Sequence, residues 1–335
     1  MRTLAGILVC GMLFSCSTNK APDVSGIKID LKLKRFEKSL FNTDTAQIAQ
    51  SMQRITAEYP SFAPVFFTRI LNMDPQWPTD TASSYIKSFI TSYRPLYDSA
   101  EILYPDFDDE MKAITQGLKY VKYYFPKYKL PGEVITYIGP VDGYGDIITN
   151  NAIVTGLHQH MGESYSMYKM DWVQQIYAGY ITRRFTPDYI PVNAIKNIVN
   201  DMYPETEDDK SLVIKMVESG KKLYCMQQLL PDVNEYVIIG YTKIQLEKCY
   251  GSEAQIWNLF VQNNLLQTLD YNLIKNYVGE SPKTQELGEG SPGNIGSFSG
   301  WQIVKKYAKE HSTVSLKELM DTPADSIFAE AKYKP

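Results

Sequence analysis

Histidine and cysteine are scarce in this chain, which has only three His and four Cys among 335 residues. Nucleophilic hydrolases and zinc sites usually draw on these side chains. The zinc-peptidase spacing H-E-x-x-H, the G-x-S-x-G turn of serine hydrolases, the Walker phosphate loop and the pair C-x-x-C are all missing. The sequence therefore predicts no catalytic residue, no cofactor and no metal site.

Long apolar runs and an excess of positive charge are also missing. The N-terminal apolar run, residues 4–14, is much shorter than the roughly 20 residues that a transmembrane helix needs. A formal net charge of −4 gives no electrostatic footprint for nucleic acid. Hydrophobic residues make up 44% of the chain, which is typical of a globular protein with a substantial buried core.

The N-terminus resembles a bacterial lipoprotein signal. Arg2, the short apolar run and Ser15 precede Cys16, as expected for a signal peptide over residues 1–15. Leu13-Phe-Ser-Cys16 resembles a lipobox, which implies lipid on Cys16 and a membrane-bound protein. Ser17, where inner-membrane lipoproteins carry Asp, implies the outer membrane, and we expect the body to face the periplasm. An ordinary secretory signal with a chance Cys is the alternative.

The mature chain is predicted to form one α+β domain over residues 27–335, after a lipidated Cys and tether at residues 16–26. Apolar and charged residues alternate over residues 27–35, which indicates a half-buried strand. Residues 133–139 and 147–162 are rich in β-branched residues and broken by Gly and Asn, which indicates further strands. The predicted architecture is a mostly helical body around one small sheet made from residues 27–35 and 133–168.

Helices are predicted elsewhere. The longest spans residues 106–125, and prolines are expected to punctuate short helices between residues 44 and 105. Further helices are predicted over residues 172–183, 192–202, 210–230, 242–250, 252–266 and 302–309. Capping boxes, in which a Ser or Thr and a Gln or Glu three residues later bond each other's backbone, are predicted at Thr242 with Gln245, Ser252 with Gln255, and Ser315 with Glu318.

A glycine-rich segment, residues 288–293, matches G-x-G-x-x-G but follows a predicted helix and a polar loop. A dinucleotide site needs a preceding strand, so we interpret the segment as a surface loop leading to the helix at Gln302. Gly293, Gly296 and Gly300 are expected to allow a close backbone approach.

Two cysteines, Cys225 and Cys249, remain once Cys10 leaves with the signal and Cys16 is lipidated. The oxidising periplasm permits a disulfide between them. Both lie in predicted helices, and we expect two buried free thiols.

One group of residues could bind a metal. His158 and His160 are predicted to lie two apart on one strand, so that both side chains share a face. With Asp146 or Glu163 they could ligate an ion. The competing interpretation is two polar residues on the wet face of an edge strand, or a His bonded within a turn.

Seven stretches together resemble one family. They are residues 29–41 (IDLKLKRFEKSLF), 57–62 (AEYPSF), 220–231 (GKKLYCMQQLLP), 239–246 (IGYTKIQL), 253–266 (EAQIWNLFVQNNLL), 291–307 (SPGNIGSFSGWQIVKKY) and 327–335 (IFAEAKYKP). In this order behind a lipobox they resemble the gliding-motility-associated lipoprotein family GldB of the Bacteroidetes, over nearly the whole mature chain. That resemblance implies an outer-membrane lipoprotein needed for cell movement in gliding species, with no established activity.

The resemblance also implies a distant structural kinship with zinc peptidases of the thermolysin-like kind. In that pattern Glu218, on the helix around residues 217–224, would be the third zinc ligand. The preceding helix, residues 191–202, should then carry H-E-x-x-H, but it does not. The implied structure is a peptidase-like scaffold without its catalyst, and a fold does not by itself imply a function.

These observations favour a non-enzymatic lipoprotein that binds another envelope component of a motility or secretion apparatus. Its partners would be the membrane, through Cys16, and an unidentified envelope protein. One alternative is a divergent metal-dependent peptidase or hydrolase that uses His158, His160 and a carboxylate such as Glu163 or Glu218. The other is a peptide- or glycan-binding lipoprotein that uses the cleft without chemistry.

Overall fold

The structure is a computed structural model that describes residues 21–205 and 209–335. The helices of the first part are α1 (Phe36–Phe41), α2 (Ile48–Glu58), α3 (Ala63–Val65, continued by a π-helical turn Phe66–Ile70), α4 (Thr79–Leu103), α5 (Asp108–Tyr124), α6 (Asp171–Ile176), α7 (Gly179–Thr182) and α8 (Tyr189–Met202). Those of the second part are α9 (Leu212–Leu229), α10 (Glu235–Ile239), α11 (Lys243–Gly251), α12 (Glu253–Gln262), α13 (Tyr271–Val278), α14 (Ile295–Glu310), α15 (Leu316–Asp321) and α16 (Ala324–Ala331). The strands are β1 (Lys32–Arg35), β2 (Glu133–Tyr137), β3 (Ile147–Ile148) and β4 (Ala152–Gly156).

The four strands form one sheet in the order β1-β2-β4-β3. β1, β2 and β4 are parallel, and β3 pairs antiparallel with β4. The register places Lys32 opposite Glu133, and Glu133 opposite Ala152. Every residue of β4 and all but the first of β2 are buried, because helices cover both central strands. The prediction of a helical body around one small sheet is confirmed.

The predicted first strand is too long. The paired strand begins only at Lys32, although Ile27, Ile29 and Leu31 pack partly buried against the core. The alternating sequence pattern correctly predicted that these apolar side chains face the core. It could not show that the parallel partner strand β2 begins only at Glu133, opposite Lys32, which is where the ladder begins.

A buried carboxylate ties β1 to β2. Glu37 is fully buried, accepts a 2.7 Å hydrogen bond from the Thr136 hydroxyl and forms an ion pair with Arg35. Arg35 in turn lies 3.0 Å from Glu101 on α4. Burial raises the pKa of Glu37, although Arg35 and Thr136 act in the opposite direction. The pair anchors the turn from the sheet into α1.

One proline, Pro95, does not interrupt a helix, contrary to the prediction, whereas Pro60, Pro75, Pro78 and Pro105 lie between helices. The longest helix is α4 with 25 residues, and Pro95 lies inside it. A proline within a helix costs about 3 kcal/mol because it removes one backbone hydrogen bond. Ile90 before it and Leu96 after it are both buried, so continuous packing on one face offsets that cost.

Several helix boundaries also differ from the prediction. The segment 172–183 is two short helices, α6 and α7, and α13 was not predicted. α14 begins at Ile295 rather than Gln302. The capping boxes at Thr242 and Ser315 are confirmed, whereas the one at Ser252 is wrong because its side chain makes no capping bond.

The two cysteines of the described chain are free and buried, as predicted. Cys225 lies in α9 and Cys249 in α11. Burial raises the pKa of the Cys225 thiol and raises that of Cys249 to about 12. Both groups therefore remain protonated and unreactive at neutral pH.

Helices α9 and α14 cross in direct backbone contact, which confirms the close approach predicted from the glycines. A Cβ atom at Gly300 would overlap the carbonyl oxygen of Met216, and one at Gly220 would overlap the carbonyl group of Gly300. A Cβ atom at Gly296 would lie 2.9 Å from the carbonyl oxygen of Tyr277 and 3.1 Å from the Met216 side chain, a less severe approach. Only glycine lets the two backbones approach this closely.

We predict that Gly300→Ala lowers the free energy of unfolding by roughly 3 kcal/mol, because backbone rather than a flexible side chain must move to admit the methyl group. Urea denaturation measures the change. The matched control is Gly251→Ala, at the end of α11, where nothing lies within 4 Å of the added carbon. That variant should keep or slightly raise the stability. Equal effects of the two substitutions would contradict the crossing.

Candidate binding cleft

Two adjoining cavities lie beside α8 and α9. The first cavity, of about 450 Å³, is lined by both helices and by the segments that precede α8 and α14. α8 buries Ile195, Ile198 and Val199 in the core. Its polar residues Asn193 and Lys196 recur at helical spacing and line the cavity instead.

A second cavity, of about 600 Å³, adjoins the first. The two share Ser219 and Lys222 of α9, together with Glu205 and Val278. Apolar side chains such as Ile274 contribute to the second cavity, and several lysines surround it. The result is one cleft along α9 with a charged part beside α8 and a more apolar part beside α13.

The cations of the first cavity have different surroundings. Arg184 donates two hydrogen bonds to Glu280, at 2.8 and 3.0 Å. Lys222 donates to Asn200 Oδ1 at 3.0 Å and lies 3.5 Å from Glu205. Lys196 lines the same cavity and makes no hydrogen bond or ion pair with any other residue of 21–205 and 209–335.

The protein around Lys196 opposes its positive charge. Its side chain is exposed to the cavity, yet the enclosing walls lower the pKa of the ammonium group from its ordinary 10.5. Burial is the largest cause and the charges of Arg184 and Lys222 add to it, whereas Glu280 and Glu205 oppose it. The first cavity is therefore an environment that favours an incoming negative charge.

Beneath the cavity, α8 is bonded to the loops at the carboxyl ends of the parallel strands. Asn193 donates a 2.7 Å hydrogen bond to Asp146 Oδ2, and the backbone N–H of Gly156 donates to Asp146 Oδ1 at 3.1 Å. The same carboxylate lies 2.8 Å from His160 Nε2. Asp146 thus joins the wall of the cleft to the end of β4.

His160 forms a buried ion pair with Asp146. Its Nδ1 lies 3.0 Å from the Thr186 carbonyl oxygen, which can only accept, so this nitrogen donates. Burial alone lowers the pKa of His160, but the charge and hydrogen bond of Asp146, with the Thr186 carbonyl, raise it overall. Both ring nitrogens face oxygen acceptors, and the Asp146 carboxylate favours the protonated, positively charged ring.

His158 is held in the neutral form. The backbone N–H of Gly139 donates to its Nδ1 at 3.1 Å, and its Nε2 donates to the Tyr144 carbonyl at 3.0 Å. Burial lowers its pKa to about 4. Each ring nitrogen is occupied, so His158 cross-links the loops after β2 and β4 rather than facing a ligand.

Residues 17–335 match the family described as gliding motility protein GldB. The chain belongs to the GldB family. The resemblance read from the seven sequence stretches is thereby confirmed, and the chain is a gliding-motility-associated lipoprotein of the cell envelope. No curated protein and no solved structure matches it.

This GldB-family cleft does not suit zinc. The wall of the first cavity formed by α8, where the peptidase pattern would carry its H-E-x-x-H ligands, presents Asn193, Lys196 and Asn200. A protonated lysine has no lone pair and repels a cation, and zinc prefers His, Cys and carboxylate ligands. Glu218 lines the second cavity and lies 2.6 Å from Lys210 Nζ. The kinship with zinc peptidases stays a prediction.

The predicted grouping of His158 and His160 with Glu163 or Glu218 is not formed. The two histidines do not lie on a strand, because β4 ends at Gly156 and a 3₁₀ turn, Leu157–Gln159, follows. They are buried rather than on a wet face. Within the described ranges, no three His, Cys, Asp or Glu side chains are placed to hold one metal ion.

The remaining sequence predictions concern the loop and the anchor. Residues 288–293 follow a 3₁₀ turn, not a strand, which agrees with the interpretation as a loop. Cys16 lies outside the described residues. Within residues 21–205 and 209–335, no helix combines the length and the apolar character that a membrane crossing requires.

Sequence reasoning missed Lys196 and its neighbours Arg184 and Lys222. The available signal was the spacing of polar residues on a helix that is otherwise apolar. Asn193, Lys196 and Asn200 recur at intervals of three and four, which places them on one face. α8 was compared only with a zinc-binding helix, and in that comparison Lys196 has no role.

We predict that Asp146→Asn lowers the stability by roughly 3 kcal/mol below pH 6.5, because it leaves a buried imidazolium without its partner. In the native chain the raised pKa of His160 contributes stability that is fully present below 6.5, its ordinary value, and is lost as pH rises through the raised value. The variant should lack that loss. Denaturation from pH 5 to 9 measures both effects.

The control is Asp142→Asn, four residues earlier on the exposed surface, which should change stability by less than about 0.5 kcal/mol. The His158 contribution runs the other way, since stability is lost as pH falls from 6.5 towards its pKa of about 4. Because the Asp146 charge itself raises the His158 pKa, this contribution cancels only between the native chain and Asp142→Asn, and Asp146→Asn is compared with them from pH 6.5 upward, where His158 is neutral. An unchanged pH profile in Asp146→Asn would show that the pair is not ionised.

Proposed function

We propose that the chain is a non-enzymatic lipoprotein of the outer membrane that acts by binding another protein of a gliding-motility or related envelope apparatus. The observation that carries the proposal is the family match over residues 17–335, which begins directly after Cys16. The body would face the periplasm, held to the membrane by lipid on Cys16.

The proposed anchor rests on the N-terminal sequence. Lipobox cysteines receive two or more acyl chains, and each buried methylene contributes about 0.8 kcal/mol. One chain holds a protein only marginally, whereas two chains make a stable anchor. Residues 16–26 would then be the tether, and the domain at residues 27–335 would remain in water.

The proposal that binding replaces catalysis rests on the residues of the cleft. The face of α8 presents two amides and a lysine to the first cavity, and the histidines are engaged in buried structural bonds. These groups can hold a ligand but do not supply the paired base and nucleophile that hydrolysis requires. A metal-dependent hydrolase is the alternative that this arrangement disfavours. A peptide- or glycan-binding lipoprotein remains compatible with it.

We predict that chemical crosslinking in intact cells links the lipoprotein to one or a few envelope proteins in reproducible amounts. The complexes are recovered under denaturing conditions through a C-terminal tag and identified by mass spectrometry. A direct partner should be enriched at least about tenfold over a lipoprotein of similar abundance. Repeated recovery of nothing above that background would contradict the proposal.

The matched pair Cys16→Ser and Cys10→Ser tests the anchor in the same cells. Cys16→Ser removes the thiol that accepts lipid, so the protein should no longer incorporate a labelled fatty acid. Cys10→Ser makes the same exchange within the predicted signal, and labelling should be unchanged. If both variants are labelled alike, the lipid is not on Cys16. Sucrose-gradient separation of the two membranes then tests the outer-membrane location.

A further inference from the structure

The first cavity contains a positive charge that the surrounding described residues do not balance. Arg184 is matched by Glu280 through two hydrogen bonds, and Glu205 lies beside Lys222. Lys196 has no such partner within residues 21–205 and 209–335. Lys196 is exposed to the cavity, so its ammonium group is accessible to a ligand, and an anion of suitable size would supply a partner.

We propose that the first cavity binds a small ligand that carries one carboxylate, with Lys196 as its ion-pair partner. This inference goes beyond the envelope role and does not depend on it. One unbalanced positive charge matches a group of charge −1. A phosphate monoester carries −1.5 to −2 near pH 7 and would leave negative charge beside Glu280 and Glu205. A carboxylate therefore fits the charge balance better.

The rest of the cavity indicates what the ligand carries besides the carboxylate. Its volume of about 450 Å³ lies within the range of small-molecule sites, roughly 300–1,000 Å³. Leu223, Met226 and Ile238 supply apolar walls, while Asn200 and Ser219 supply hydrogen-bonding groups. An acylated amino acid, or the last residue of a peptide, has this combination of an acid, an amide and an apolar side chain.

The surroundings of Lys196 give the site a pH dependence. Its pKa is lowered from 10.5 by burial and by Arg184 and Lys222, against the effect of Glu280 and Glu205. A bound carboxylate favours the charged lysine and raises that pKa again. Binding should therefore take up protons at alkaline pH, and affinity should begin to fall at a lower pH than it would for an ordinary lysine.

The test is isothermal titration of the mature lipoprotein in nonionic detergent. The probes are N-acetyl-leucine and N-acetyl-phenylalanine, each compared with its C-terminal amide, and inorganic phosphate. We expect at least one acid to bind about tenfold or more tightly than its amide, which corresponds to the strength of a charge-assisted hydrogen bond. Titrations at alkaline pH in two buffers of different ionisation enthalpy measure the proton uptake.

Two variants distinguish ligand binding at Lys196 from attraction by the overall charge of the protein. Lys196→Gln should lose about tenfold or more in affinity for the acid and gain nothing for the amide. Lys309→Gln, on the exposed end of α14, should bind as the native chain does. Without ligand, Lys196→Gln should unfold at the same temperature or higher, because an unpartnered charge has been removed. Should that variant fold poorly, Lys196→Met provides the same comparison.

The proposal is overturned if neither acid binds, if acid and amide bind equally, or if Lys196→Gln retains the affinity. Tighter binding of phosphate than of both acids would also overturn it, since the cavity would then select a different anion. Loss of affinity in Lys309→Gln as well would indicate attraction by overall charge. None of these outcomes bears on the crosslinked envelope partner, so failure of this site is distinguishable from failure of the proposed function.

Discussion

The backbone contact between α9 and α14 is the constraint on which the rest of the structure depends. α9 packs against α5, α8, α10, α13, α14, α15 and α16, so its position sets theirs. Gly220 and Gly300 allow the two helices to touch without side chains between them. α8 and α13 also pack against α9, so the position of α9 sets the walls of the cleft. Both cavities open along α9 as a consequence.

The opposite wall of the cleft is fixed by charge rather than by close backbone packing. Asp146 accepts hydrogen bonds from Asn193 and from the backbone after β4, and it pairs with the His160 imidazolium. A buried ion pair contributes little net stability, but removing one partner is costly. The network therefore specifies where α8 sits above the sheet. It also engages the His160 imidazole, and His158 is held separately by Gly139 and Tyr144. The sequence spacing of the two histidines was therefore misleading.

The sequence predicted what depends on local pattern. The sheet and most helices follow from periodicity, the close approach follows from Gly296 and Gly300, and two capping boxes follow from their spacing. It failed where distant residues decide the outcome. Pro95 stays inside α4 because packing on both sides offsets its cost. β1 starts at Lys32 because its parallel partner strand, β2, begins opposite that residue. Lys196 is without an ion-pair partner because the nearby Glu280 pairs with Arg184. No local sequence pattern reveals that pairing.

The central claim is the proposal that the cleft beside α8 and α9 binds its ligand through side chains such as Lys196 and holds no catalytic metal. The most direct measurement is the metal content of the mature chain, purified without chelator or affinity metal and analysed by mass spectrometry. The account predicts zinc far below one atom per chain, unchanged in a His158→Ala, His160→Ala double variant that remains folded. Close to one zinc per chain, lost in that variant, would contradict it and restore hydrolysis as the leading interpretation.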